Sequence, residues 1–216
     1  MTNRNIYVLG AARTPMGGLM GALSGVAAAD LGGAAIAAAL ARAGQPQPDA
    51  LFMGCVLPAG QGQAPARQAG FAGGLGQEVP ATTLNKMCGS GMQAAMMGAD
   101  MILAGSADLV VAGGMESMSN APYLLPRMRA GARLGHAQAL DHMFLDGLED
   151  AYDKGRLMGT FAEDCAAEFA FSRQAQDDYA LTSLTRAQEA IASGAFATEI
   201  APVTVPARGK VTIVET

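Results

Sequence analysis

The chain has 216 residues, half of them hydrophobic, and a formal net charge of -5, enough to bury the core of one large or two small domains. That charge gives no electrostatic basis for binding nucleic acid, which needs a basic surface. Glycine (28) and methionine (14) are abundant, aromatics make up 5% and tryptophan is absent, so the elements are expected to pack closely through small side chains.

The N-terminal MTNRNIYVLGAARTP lacks the apolar stretch and cleavage site of a secretory signal, and no segment reaches roughly 18 uninterrupted apolar residues. A cytoplasmic protein with no membrane contact is expected. Residues 5–9 (NIYVL) form a short β-rich run, followed by glycine-crowded loop chemistry. Residues 28–43 predict an alanine-rich helix, entered through Asp30 and closed by Gly44, with Pro46 and Pro48 beyond. Residues 49–57 predict a strand, 63–72 a helix and 81–85 a further strand. Over 90–104 the apolar positions Met92, Ala95, Met96, Ala99 and Leu103 recur at helical spacing, and 108–112 resumes strand character. Strands alternating with helices imply parallel βαβ units, an α/β fold with right-handed crossovers.

After about Met118 the texture changes. Residues 119–160 carry proline, arginine and scattered charge without a sustained period, and 163–194 predicts helix with an interruption near Ser172. A β-like run at 200–205 and the closing VTIV complete a second module of long loops and helices. The three arginines between Arg127 and Arg133 read as a solvated loop or interface before they read as a site for an anionic ligand.

Cys55, Cys88 and Cys165 are far apart and show no CxxC spacing, so neither a disulfide framework nor a metal site is expected. On local sequence alone a free cysteine is more often core than nucleophile. Cys88 differs in its setting. It lies where a strand gives way to a helix beginning near Gly89, so that unpaired N–H groups and the helix dipole favour a thiolate and offer an oxyanion site, with Gly89 and Gly91 allowing close approach.

The stretch NKMCGSGMQA at 85–94 resembles the nucleophile signature of the thiolase family, and GGMESMSNAPY at 113–123 resembles its second signature. The likeness extends to IYVLGAARTPMG at 6–17, to LDGLEDAY at 145–152 and LMGTFAED at 157–164 in the CoA-side module, and to FATEIAPVTV at 196–205. This resemblance implies a thiolase-like layered α/β core domain over residues 1–118 with an inserted loop and helix domain over 119–216, both incomplete, and the C-terminal half absent. It further implies that Cys88 takes an acyl group from acyl-CoA, that a second acyl-CoA attacks as a carbanion to give a 3-ketoacyl-CoA, and that thiolysis is the reverse. Leu148 and Met158 match positions that contact pantetheine. Leu157 stands where biosynthetic relatives often carry histidine. Coenzyme A is then a substrate, with no cofactor and no metal.

The family also uses a histidine in a GHP-type motif, a cysteine in a CxGGG-type motif and an asparagine in an NASG-type motif, and none of these occurs here. His136 and His142 lie in the arginine-containing stretch and are expected at the surface rather than as bases. The resemblance covers the whole chain but about the first half of a thiolase. It implies as partners acyl-CoA together with a homodimer or tetramer, to which the 123–142 stretch resembles a contributing loop, or a complementary C-terminal half. The alternatives are a degradative relative taking longer 3-ketoacyl-CoA, one subunit of a split thiolase, and a truncated CoA-binding or assembly module without catalysis. The lack of G-x-G-x-x-G spacing in VLGAARTPMGG argues against a dinucleotide-binding dehydrogenase.

Overall fold

The computed structural model describes residues 5–207 and 210–215. The expected alternation is present as α1 (Ala28–Arg42), β1 (Ala50–Gly54), α2 (Pro65–Ala72), β2 (Ala81–Leu84), α3 (Ser90–Leu103) and β3 (Val110–Gly114). The three strands form a parallel sheet in the order β2-β1-β3, with Leu51 opposite Ala81 and Val111. An α/β fold follows. Asp49 ties the start of the sheet together, its carboxylate accepting from the N–H groups of Asp108 at 2.8 Å and Leu109 at 3.0 Å, bonds that hold its pKa below the usual carboxylate range.

Alternate residues of β1 serve opposite layers. Leu51, Met53 and Cys55 join Ile36 and Leu40 of α1 and Ala66 and Ala69 of α2 in the main buried cluster. Gly54 faces α3 instead. A Cβ on Gly54 would lie 2.5 Å from the Cβ of Ser90, and one on Gly33 would lie 2.5 Å from the Cβ of Ala72, so both helix contacts close to distances that only glycine allows.

Four sequence expectations are revised. The helix at α1 begins without a side-chain cap, at Ala27, and Asp30 sits inside its first turn, where its charge complements the helix dipole. The methionine stripe of α3 points outward, Met92 being 74% exposed, while Ser90, Ala94 and Gly98 face inward. Gly98 explains the choice, since even a methyl there would sit 3.0 Å from Val110 Cγ1, too close for a methionine on that face. Residues 5–9 form no strand. They run beside β3 across a gap of about 240 Å³ lined by Ile6, Val8, Val110 and Ala112, make no ladder with it, and leave Val8 85% exposed. Finally, His142 is buried, not a surface residue.

Beyond β3 the chain forms two short strands, β4 (Tyr123–Leu124) and β5 (Leu140–Asp141), a π-helical turn at Phe144–Leu148, α4 (Met158–Glu168) and α5 (Arg173–Ala192). Ser172 accounts for the expected interruption. Its hydroxyl accepts from Ala175 N at 3.1 Å, capping α5. No residue of α4 or α5 is buried, and Tyr179, Leu181, Leu184 and Ile191 are exposed. The hairpin of β6 (Val203–Ala207) and β7 (Lys210–Val214) returns to the N-terminal part, where Val203 packs with Leu23, Val26 and Leu31. Arg42 secures this return through the carbonyls of Ala11, Glu199 and Ile200 at 2.6 to 3.0 Å, and Arg13 pairs with Glu199 at 2.7 Å.

The glycine contacts make a direct prediction. Gly33→Ala overpacks α1 against α2 and should lower the unfolding free energy by about 1–3 kcal/mol in a urea titration. Gly159→Ala, where an added Cβ meets nothing within 4 Å, should leave stability unchanged or raise it by up to about 1 kcal/mol.

Candidate active site

Cys88 sits on the elbow that joins β2 to α3. The elbow is built by three hydrogen bonds from two side chains, Asn85 and Ser90. Asn85 Oδ1 accepts from Met87 N at 2.9 Å, Ser90 Oγ accepts from Lys86 N at 2.8 Å, and the Ser90 hydroxyl donates to Met87 O at 2.6 Å. Together they hold Met87 at φ 50°, a left-handed conformation that costs a non-glycine residue about 1–2 kcal/mol. The return on that strain is placement: Cys88 lies just ahead of the helix cap at Gly89 and is exposed to solvent.

Two backbone groups expected to be free at this helix start are engaged. Gly89 N donates to Lys86 O at 3.1 Å and Ser90 N to Met87 O at 3.0 Å. An anion held here would therefore draw on other donors. No hydrogen bond to the Cys88 thiol is present among the described residues, and no histidine is bonded to it.

The thiol opens into a cleft of about 410 Å³ whose lining includes Cys55, Leu57, Cys88, Glu116, Met143 and Leu148. The cleft lies at the C-terminal ends of β1 and β3, the usual location of ligand sites in open α/β sheets. Leu148 thus meets Cys88 in one cavity. Met158, at the first position of α4 and 46% exposed, stands outside it. The bridge between Glu149 and Leu157 nevertheless keeps the start of α4 beside the Leu148 turn.

The residue that sequence reasoning missed is Glu116. Its carboxylate accepts from Val56 N at 2.8 Å and Leu57 N at 3.0 Å, and the Cys55 thiol approaches it at 3.6 Å. Glu116 therefore fixes the segment after β1 that forms the cleft floor. Asn120 acts similarly for the N-terminal loop, donating to the carbonyls of Ser24 and Val26, each at 3.0 Å. The only signal for either was their position inside GGMESMSNAPY, which carries no hint of which backbone they bind.

The three thiols are chemically distinct. Cys55 is 2% exposed, and burial, reinforced by the nearby Glu116 carboxylate, pushes its thiol up to about 11. Cys88 and Cys165 are exposed. Among the described residues, no group of histidine, cysteine, aspartate and glutamate has the arrangement to hold a metal, and no helix is long and apolar enough to cross a membrane.

A family model described as "Thiolase, N-terminal domain" matches residues 6–216. The chain is 47% identical over 214 residues to acetyl-CoA acetyltransferase IB of Candida tropicalis, covering 97% of the chain and 53% of that protein. It is 48% identical over 213 residues to an acetyl-CoA acetyltransferase of Schizosaccharomyces pombe, covering 97% of the chain and 54% of that protein. Against the acetyl-CoA acetyltransferase of Cupriavidus necator it is 47% identical over 206 residues, covering 94% of the chain and 52% of the relative. The chain spans about half the length of the curated relatives it matches.

Alkylation should separate the thiols. At about pH 8 a small haloacetamide should label Cys88 and Cys165 in the folded protein and spare Cys55, as peptide mass analysis would read. Because the folded Cys55 thiol keeps its proton to higher pH than the unfolded one, stability should fall as pH rises from 9.0 to about 11. Comparison with Cys55→Ala, which should lose this component of the slope, isolates it.

Proposed function

The chain belongs to the thiolase family, and from that premise we propose that Cys88 carries an acyl group in a thiolase-type acyl transfer. The observation that supports this most directly is the exposed thiol held at the head of α3 by a strained elbow, opening into an apolar cleft. Cys55 is buried, whereas Cys88 is presented to solvent at the mouth of the cleft.

The chemistry runs in two covalent halves. The Cys88 thiolate attacks the thioester carbonyl of an acyl-CoA, the C–S bond to CoA breaks, and CoA leaves as a thiolate that takes up a proton. The acyl-enzyme is itself a thioester, so the exchange is nearly balanced in energy and its carbonyl stays electrophilic. The α-carbon of a second acyl-CoA, once deprotonated, attacks that carbonyl and expels the Cys88 thiolate, giving a 3-ketoacyl-CoA. With acetyl groups the product is acetoacetyl-CoA, the reading we favour over a longer degradative substrate; thiolysis runs the same steps backward.

Leu148 supplies an apolar wall for the pantetheine arm inside the cleft, and Met158 supplies a contact farther out at the start of α4. Deprotonation of the thiol and of the α-carbon requires base and acid groups that neither histidine of this chain provides: His142 is engaged with Asp146 and Ala59, and His136 lies on an exposed loop. We assign those groups to a complementary thiolase half. The outward methionines of α3 and the apolar side chains of α5 offer it surface to cover, and the same surfaces suit a homo-oligomer. A cytoplasmic location accords with this chemistry.

The test is the intact mass after acetyl-CoA treatment, with Cys88→Ser as control. A single acetyl increment that hydroxylamine removes and the variant lacks is the expected result. Absence of the increment, both alone and with a complementary thiolase half added, would overturn the assignment and leave a CoA-binding or assembly module.

A further inference from the structure

His142 is 5% exposed, one of only two buried polar residues in the described chain, and lies outside every role described so far. Its ring is spoken for on both sides. Nδ1 stands 2.6 Å from Asp146 Oδ2, and Nε2 accepts from the backbone N–H of Ala59 at 3.4 Å. An Nε2 that accepts carries the lone pair, so the hydrogen sits on Nδ1 and is donated to Asp146.

The partners of the ring belong to the two walls of the Cys88 cleft. Ala59 continues the segment whose Cys55, Val56 and Leu57 line the floor, and Asp146 lies in the π-helical turn whose Gly147 and Leu148, with Met143 just before it, line the opposite side. A turn of that kind is held by strained i to i+5 geometry and is commonly placed at functional sites. Asp141 begins the turn by accepting from Met143 N at 2.9 Å, and His142 then ties the turn to Ala59, two residues beyond the cleft-lining Leu57. The two walls already approach closely, since a Cβ on Gly147 would meet Leu57 Cδ2 at 3.5 Å.

We propose that His142 is a positioning residue that sets the separation of the cleft walls in front of Cys88 and thereby discriminates by size among the groups that thiol accepts. The proposal rests on Cys88 being the acyl acceptor only for the identity of those groups. The clamp itself is geometric. Without the imidazole, the turn that carries Met143 and Leu148 loses its link to the segment that carries Leu57.

Three variants dissect the clamp. His142→Ala removes both links. His142→Asn retains a donor near the Nδ1 position toward Asp146, and His142→Gln retains an acceptor near Nε2 toward Ala59. Each protein is treated with iodoacetamide or with the bulkier N-benzylmaleimide, and the ratio of the two rates at Cys88 is divided by the same ratio at the exposed Cys165. The expected result is a rise of roughly three- to tenfold in His142→Ala, with smaller rises in the Asn and Gln variants. A ratio unchanged in all three, with only the melting temperature lowered, would reduce His142 to a structural residue and overturn the proposal. The same proteins are then offered acetyl-CoA and hexanoyl-CoA in competition. Failure of wild-type Cys88 to take either group overturns the acyl-transfer reading alone, because the alkylation ratio decides the clamp independently.

Discussion

Ser90 and Gly54 touch where β1 passes beneath the start of α3, and the rest of the site depends on that contact. With no side chain on Gly54, the Ser90 backbone settles against the strand, and its hydroxyl is left to organise the elbow through Lys86 N and Met87 O. A larger residue at 54 would push the helix outward and carry Cys88 away from the ends of β1 and β3. Packing and chemistry therefore share one constraint: the sheet can bring a reactive thiol to its edge only because it accepts a helix at glycine distance.

Much of this was legible from sequence because α/β alternation is written in local periodicity. Strand and helix positions from 28 to 114 differ from expectation by a few residues at their ends, and the Ser172 break resolves into a hydroxyl cap. What periodicity cannot convey is which of two apolar faces turns inward. In α3 both the methionine stripe and the small-residue stripe are apolar, and close approach to Val110 selects the small one. The run at 5–9 has strand composition, but a strand also needs a neighbour within hydrogen-bonding reach, and composition is silent on that.

The candidate site was legible in the same uneven way. Cys88 was readable from its place between a strand and a glycine-rich helix start, and Leu148 through family likeness. Glu116 and His142 were not. Each acts on the backbone of a segment distant in sequence, Glu116 on Val56 and Leu57 and His142 on Ala59. Side chains that grip another segment's main chain leave no spacing rule behind, and a histidine in a polar, arginine-containing stretch gives no sign that the fold will close over it.

The gap beside β3 bears on how the chain behaves at high concentration. The outer edge of that strand carries Val110, Val111 and Ala112 and is unladdered among the described residues. No charge, proline or bulge interrupts it, and such an edge is a template for extended segments of other molecules. An extended segment of a second molecule would meet there the same main-chain groups that residues 5–9 stand beside without pairing, which ties self-association of this chain to the packing of its N-terminal run.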